Sequence, residues 1–270
     1  MKKQNNLNCN CFVLLIMKYI LFPSMLGQLK HGVDLSPILL KDFMRLKNTT
    51  SVQCNYSLET NLHRLYKKNV RTFGKRINIG GDHSMSLATV AYTLNKYPDS
   101  KVVWFDAHPD INTSFSSKTQ NIHGMPLGFL TGLDYYEGFS FIENILPFQN
   151  LLYVGLRDID QYEQNVLNTC NIEQITSEEV NKNPTKVINT IKDFIDGDTF
   201  HLSFDVDCMD PSIMSSTGTP VENGILLKPM KKVLRNIMNN DKMVNMDITE
   251  LNLELGDSHS SLNNFLHLFK

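Results

Sequence analysis

The motif "DAHPD" follows the apolar run "KVVWF" directly, which is an unfavourable position for so many ionisable groups. Side chains alternate between the two faces of an extended segment, so Asp106, His108 and Asp110 can point in the same direction. The same spacing relates Asp205 to Asp207 in "DVD", which follows the apolar run "HLSF". Two segments of the chain therefore each present a row of metal-type side chains.

His83 of "GGDHS" adds a second imidazole after another apolar run, although Asp82 or Ser84 of this motif could also simply cap a helix. Four carboxylates and two imidazoles would repel and desolvate one another unless a cation lay between them. The set lacks the thiolates of structural zinc sites. Six side chains are also more than one ion can bind if it keeps a coordination position free for catalysis. Two divalent ions fit better. Manganese suits the ligand types best, but iron, cobalt and magnesium accept the same types.

Six apolar or β-branched runs predict the strands that would position these groups. They cover residues 18–22, 76–81, 101–107, 151–156, 199–207 and 243–248. Helical patterns lie between them, at 84–97, 184–195 and 229–238. Continuous apolar strands indicate burial on both faces, so we predict an α/β fold, a three-layer α/β/α sandwich with a mainly parallel sheet. Such sheets bind ligands beyond the carboxyl ends of their strands, where every polar cluster falls.

Composition excludes several classes of partner. The 270 residues carry a formal net charge of −2 and no Lys/Arg run, so nucleic acid is not expected to bind. No uninterrupted apolar run approaches the roughly 20 residues that span a bilayer, so no membrane association is expected. The five cysteines are odd in number and scattered, which indicates reduced thiols and a cytoplasmic protein.

The sequence predicts one domain that is preceded by a short N-terminal extension. Residues 1–16 are predicted to be a disordered N-terminal extension, because the Asn-rich beginning cannot bury enough surface to order itself. Residues 17–270 are predicted to form a single catalytic domain, and Met17 is an alternative start.

Six motifs taken in chain order carry a family resemblance: "GGDHS", "DAHPDIN", "NIHGMP", "SFDVDCMDPS", "STGTP" and "DITE". They resemble the signature set of the ureohydrolases, most closely that of the arginases, from about Lys18 to the C-terminus. The resemblance implies an arginase/deacetylase-like fold, two Mn2+ per chain and a homotrimer. It also implies one metal site completed by His83 and Asp110, another completed by His108 and Asp207, and two bridging carboxylates, Asp106 and Asp205.

The reaction implied by the resemblance is hydrolysis of L-arginine to L-ornithine and urea, with metal-bound hydroxide attacking the guanidinium carbon. His123 resembles the family's proton-shuttling histidine, and Glu250 resembles the glutamate that pairs with the guanidinium group. Asp110, one of the implied metal ligands, is also expected to be a catalytic residue. The expected substrate contacts are Thr219 at the reacting centre, Asp160 and Glu163 at the α-amino group, and Asn112 and Thr119 at the α-carboxylate.

Departures from the family pattern keep alternatives open. Lys118, Thr119 and Gln120 stand in the substrate loop, where the family usually has a Ser-Gly turn. Cys208 replaces a common glycine beside a metal ligand, and we expect it to make the site sensitive to oxidation. Agmatine or another guanidino compound is the alternative substrate. A deacetylase-like hydrolase and a non-catalytic arginine-binding relative are the more distant alternatives.

Overall fold

A computed structural model describes residues 17–269, and an eight-stranded sheet runs through the middle of this part of the chain. The predicted extension, residues 1–16, lies outside the described residues. The strands are β1 Lys18–Phe22, β2 Thr49–Ser51, β3 Arg76–Gly80, β4 Lys101–Phe105, β5 Leu151–Val154, β6 Glu173–Ile175, β7 Phe200–Asp205 and β8 Met243–Thr249. Their spatial order is β2-β1-β3-β8-β7-β4-β5-β6, and every pairing is parallel.

Eight α-helices lie between the strands of the described chain, and a ninth follows the last strand. They are α1 Ser36–Phe43, α2 Leu58–Arg71, α3 Ser86–Lys96, α4 Pro126–Leu130, α5 Gln161–Thr169, α6 Ser177–Lys182, α7 Pro184–Ile195, α8 Leu227–Met238 and α9 Ser258–Phe269. None of the helices in residues 17–269 has the length and apolar character needed to cross a membrane.

The helices cover both faces of the sheet. In β4, Val103 and Phe105 face the apolar core formed with α1 and α6 to α9, while Val102 and Trp104 face the core formed with α2 to α5. This alternation follows from the two-residue period of a strand, and burial on both faces explains why the strand sequence is continuously apolar. The predicted three-layer α/β/α sandwich with a parallel sheet is confirmed.

All six predicted strands are present, and two short edge strands were missed. β2 and β6 each have three residues, with the sequences "TTS" and "EQI", and most of their side chains are partly or fully exposed. Edge strands need little burial, so they left no apolar run to detect. The helix predicted at 84–97 begins at Ser86, because residues His83–Met85 form a 3-10 turn first.

Strand order decides which loops meet. The neighbouring strands β3, β8, β7, β4 and β5 are the ones that end in "GGDHS", "DITE", "DVD", "DAHPD" and "GLRDID". Because the strands are parallel, all five loops emerge at the same edge of the sheet.

Candidate metal centre

The first group of metal-type side chains surrounds His83. Its Nδ1 lies 3.1 Å from Asp106 Oδ2, 2.9 Å from Asp110 Oδ2 and 3.1 Å from Asp205 Oδ2. The imidazole is 1% exposed, and within residues 17–269 its Nδ1 has no hydrogen-bond partner. A buried ring nitrogen without a hydrogen bond, facing three carboxylate oxygens, is the arrangement that a bound cation would satisfy.

A second group lies beside the first. His108 Nδ1 is 3.0 Å from Asp207 Oδ2 and 3.5 Å from Asp106 Oδ1. The ligand atoms of His83, Asp106 and Asp205 lie within 4.8 Å of one another, and so do those of Asp106, His108 and Asp207. The two groups therefore share Asp106, while Asp205 belongs by this measure to the first group alone.

Backbone donors orient the carboxylates. The peptide N–H of His108 donates to Asp106 Oδ1 at 2.8 Å, and that of Asp207 donates to Asp205 Oδ1 at 2.8 Å. The N–H of Ala107 reaches across to Asp207 Oδ1 at 3.1 Å and so ties the two loops together. Each bonded oxygen is held in place, and the other oxygen of Asp106, Asp205 and Asp207 faces an imidazole.

Electrostatics show that the site needs positive charge. Burial raises the pKa of Asp110 to about 7, and the charge of Asp106 adds to this shift. Burial also raises the pKa of Asp205 well above its usual value. Burial lowers the pKa of His83, but the neighbouring carboxylates outweigh it and the pKa ends well above normal. Burial and mutual repulsion thus disfavour the ionised form of Asp110 and Asp205, and a bound cation would offset both effects.

Side chains outside the predicted set support the ligands. The indole Nε1–H of Trp104 donates to Asp106 Oδ2 at 2.9 Å, and its ring stacks on His83 with centroids 4.2 Å apart. Ser203 Oγ lies 2.8 Å from His83 Nε2. If Nε2 carries the ring proton, Nδ1 keeps its lone pair for a metal. Trp104 and Ser203 each stand two residues before a predicted ligand, Asp106 and Asp205, and this spacing could have revealed them.

Arg157 links the loops around Asp207 by hydrogen bonds. Its guanidinium donates to the carbonyls of Gly155, Asp207, Cys208, Met209, Val221 and Glu222, at 2.7 to 3.3 Å. Its own N–H donates to the carbonyl of Ala107 at 2.9 Å. The side chain of Arg157 thus connects the "DVD" loop with the segment after Thr219, and its backbone N–H adds the "DAHPD" loop.

A pocket of about 150 Å³ opens over the two groups. It is lined by His83, His108, Asp110, Asn112, His123, Gly124, Glu163, Asp205, Asp207, Thr219 and Glu250. Five of the six predicted metal ligands are among these residues. Asp106 is the sixth, and it lies beneath the pocket at 1% exposure.

The predicted catalytic pair is assembled in the pocket. His123 Nδ1 lies 3.0 Å from Glu250 Oε1, which also accepts the peptide N–H of His83 at 2.8 Å. Burial lowers the pKa of His123, but the charge and hydrogen bond of Glu250 outweigh it and raise the pKa to about 9. Burial raises the pKa of Glu250, but the contacts with His123 and His83 outweigh it and lower the pKa below its usual value. The pair therefore carries opposite charges at neutral pH.

The predicted substrate contacts separate into two sets. Thr219 lines the pocket and its Oγ1 donates to Asp207 Oδ2 at 3.0 Å. Asn112 and Glu163 also line the pocket, whereas Asp160 is not among its lining residues. Asp160 accepts from Asn112 Nδ2 at 2.9 Å and forms a capping box with Glu163 at the start of α5. Thr119 is exposed and is not among the residues that line the pocket.

Cys208 is fully buried beside the metal ligands. Burial raises the pKa of its thiol well above the usual value, with the charges of Asp207 and Asp205 adding to the effect. A buried neutral thiol reacts slowly with oxidants, so the geometry argues against the oxidation-sensitive site expected from the sequence.

Comparison with known proteins identifies the family of this chain. A family model described as Arginase family matches residues 23–264. The chain belongs to the arginase family. The resemblance found in the motifs is thereby confirmed, as is the prediction of a hydrolase of this family.

Individual members of the arginase family show the same likeness. The chain is 34% identical to an arginase of Entamoeba histolytica over 276 residues. This match covers 91% of the present chain and 93% of that protein. The chain is 38% identical over 189 residues to an arginase of Glaciozyma antarctica, covering 67% of this chain but only 55% of that protein. The crystal structure of the Entamoeba histolytica arginase with L-ornithine superposes with a TM-score of 0.86 at 30% identity, covering 94% and 98% of the two chains.

Proposed function

We propose that this protein hydrolyses L-arginine to L-ornithine and urea with two manganese ions per chain. The observation that carries the proposal is the convergence of six metal-type side chains from three loops into two adjoining groups that share Asp106. Membership of the arginase family and the name of the relatives support the choice of reaction.

The donor set fits two such ions. His83 and Asp110 would serve one ion, His108 and Asp207 the other, and Asp106 and Asp205 would bridge them. Carboxylate oxygens with one imidazole at each site suit manganese. Among the described residues Nδ1 of His83 has no hydrogen-bond partner, which supports its proposed role as a ligand. When bound, the ions would supply an activated water molecule for hydrolysis.

Glu250 would receive the guanidinium group. The residue is 3% exposed, and the contacts that lower the pKa of its carboxylate keep it ionised in the neutral range. A buried cation needs an anionic partner of this kind, because the loss of its hydration is otherwise uncompensated. The pairing would also hold the guanidinium carbon beside the metal groups, since Glu250 accepts the N–H of His83.

His123 would give a proton to the leaving amine. The hydrogen bond from its Nδ1 to the Glu250 carboxylate raises the pKa of the ring and so favours the protonated state that a general acid requires. Nδ1 is held by Glu250, so Nε2 is the nitrogen from which the proton would pass to the product amine. Thr219 would contact the reacting end of the substrate through the hydroxyl that it places on Asp207.

The amino-acid end of the substrate would meet Asn112, Thr119, Asp160 and Glu163. Glu163 and Asn112 line the pocket and would contact the substrate directly. Asp160 would act through Asn112 or through water. Thr119 would need the loop to close over the substrate, because its side chain is exposed.

A second candidate, hydrolysis of agmatine, is favoured by one observation. Agmatine lacks the α-carboxylate, and of the two residues proposed to bind that group only Asn112 lines the pocket. The test is to purify the protein, load it with manganese and assay arginine and agmatine side by side. Efficient turnover of arginine supports the proposal, agmatine turnover of equal efficiency supports the second candidate, and turnover of neither contradicts both.

We also propose a cytoplasmic location, because the cysteines of the described residues, Cys54, Cys170 and Cys208, are free thiols. A homotrimer is proposed from the family resemblance alone. Size-exclusion chromatography with light scattering would measure the oligomeric state directly.

A further inference from the structure

The carboxylate of Glu250 is held at both of its oxygens. Oε1 accepts the N–H of His83 at 2.8 Å and lies 3.0 Å from His123 Nδ1. Oε2 accepts the side-chain amide of Gln28, whose Nε2 lies 2.7 Å away. Glu250 itself has a left-handed backbone with φ of 64°, so its side chain leaves the strand end in a direction that ordinary extended backbone would not produce.

Gln28 comes from a part of the chain that carries none of the predicted catalytic motifs. It lies 222 residues before Glu250, in the segment that follows β1, and it is 8% exposed. Gln28 has no charge, so its amide can orient the carboxylate without neutralising it. A lysine or arginine in this place would compete with the guanidinium that Glu250 is proposed to receive.

The segment before Gln28 is anchored to the same site. The N–H of Gly27 donates to Asp82 Oδ2 at 2.9 Å, and the N–H of His123 donates to the carbonyl of Gly27 at 3.1 Å. A Cβ at Gly27 would lie 2.7 Å from Ser84 Cβ, so the chain can approach this closely only with glycine. Asp82, the aspartate of "GGDHS" outside both metal groups, therefore fixes the position from which Gln28 reaches Glu250.

We propose that Gln28 is a positioning residue that sets the orientation of Glu250 for the guanidinium group of the substrate. The inference rests on the proposed function. Three donors around one carboxylate leave it a single orientation, and Gln28 is the only one of the three that has no role at a metal ligand or in proton transfer. Its loss should weaken substrate binding and leave the metal groups intact.

The test is Gln28→Met, which keeps the length and bulk of the side chain and removes the donor. A hydrogen bond to a charged group corresponds to a factor of about ten or more in binding. We therefore expect the KM for arginine to rise about tenfold, with a change in kcat of less than about threefold and the bound manganese unchanged. Gln53→Met, at an exposed glutamine, is the matched control and should leave KM and kcat unchanged.

Two further variants keep the inference testable if Gln28→Met does not fold. Gln28→Asn retains an amide but draws it back by one methylene, and Gln28→Glu places a second carboxylate against Glu250. Both should raise KM, and Gln28→Glu should raise it more. An unchanged KM in any folded variant, or a loss of bound manganese that matches the loss of activity, would overturn the inference.

These outcomes are separable from failure of the proposed function. The wild-type protein is assayed first with manganese and arginine. If it shows no hydrolysis, the proposed function is wrong and so is the role assigned to Gln28. If it is active while the Gln28 variants keep its KM, only the inference about Gln28 is wrong.

Discussion

Trp104 donates its indole N–H to Oδ2 of Asp106 at 2.9 Å. The same carboxylate also faces the imidazoles of His83 and His108. Its Oδ2 lies 3.1 Å from His83 Nδ1, so the indole sets the direction in which the carboxylate can serve a metal. Two residues apart on one extended segment, Trp104 and Asp106 point to the same face, and the pairing follows from that spacing.

Trp104→Phe should weaken metal binding. The phenyl ring can still stack on His83, but the hydrogen bond to Asp106 is lost, and supporting contacts of this kind are worth about 10- to 100-fold in metal affinity. Titration against a chelator of known affinity would measure the change, with Ser203→Ala as a companion that removes the contact at His83 Nε2. Unchanged manganese affinity in both variants would contradict a supporting role.

Asp205→Ala should reduce metal content more than His83→Ala. Asp205 is proposed to bridge both ions, so its loss should empty both sites, whereas His83 serves one. Metal analysis of the two purified proteins after loading and desalting provides the measurement. Equal retention would show that Asp205 serves the His83 group alone, which is the group its geometry places it in.

Glu163→Gln should flatten the pH dependence of stability. Burial raises the pKa of Glu163 to about 8 from 4.5, and the charges of Asp160 and Asp110 contribute. The folded protein therefore holds a proton that the unfolded chain releases at lower pH, so the free energy of unfolding falls as pH rises from about 4.5 to about 8. Glutamine stays neutral throughout this range and should remove that part of the decline.

Denaturant unfolding of the chelated protein at several pH values would measure the effect of Glu163→Gln. The exposed Glu178→Gln is the matched control. Parallel curves for wild type and Glu163→Gln would show that the carboxyl is not protonated in the folded state.

Asn112→Ala should reduce the preference for arginine over agmatine. Two hydrogen bonds to the α-carboxylate, each worth roughly 1.5 to 3 kcal/mol, would give a preference of about a hundredfold or more. In this structure Asn112 already donates to Asp160 and accepts from Ser116 Oγ at 2.8 Å, so the variant also disturbs Asp160. The loss should fall mainly on arginine, and the metal content should not change.

The ratio of kcat/KM for arginine and agmatine measures this preference. Ser114→Ala, at an exposed position of the same loop, is the control. If Asn112→Ala lowers both values by the same factor, Asn112 does not recognise the carboxylate.

A chain that starts at Met17 should fold and stay active. It keeps the whole of β1, whose side chains from Tyr19 to Phe22 are buried in the sheet. Circular dichroism and the arginine assay on the shortened protein provide the measurement. An insoluble or inactive product would show that residues 1–16 contribute to the fold.

Much of the central architecture was readable from residue types. A strand covered by helices on both faces is largely apolar, so the run "VVWF" of β4 indicated both its burial and a parallel sheet. The metal-type side chains were readable as well, because a two-residue spacing of carboxylates after a buried strand has few stable arrangements without a cation. Both the burial of the strands and the metal-type side chains follow from local sequence and do not depend on which strands are neighbours.

The contacts between distant segments required the tertiary structure. Gln28 and Glu250 are 222 residues apart, and only the order β1-β3-β8 brings the ends of their strands together. Arg157 would look like a solvated cation in sequence, yet it donates to six backbone carbonyls that the fold gathers around it.

Burial separates what the sequence determined by itself from what the tertiary structure decided. Residue type and spacing determined the six inner strands, the parallel sheet and the candidate ligands, since local periodicity reports which faces are apolar. Cys208, beside a ligand, was expected to be reactive, but enclosure by the fold raises the pKa of its thiol. Thr119 lies in a motif-bearing loop but faces solvent. Whether a side chain is enclosed, and which groups share its enclosure, depends on long-range packing that no local pattern contains.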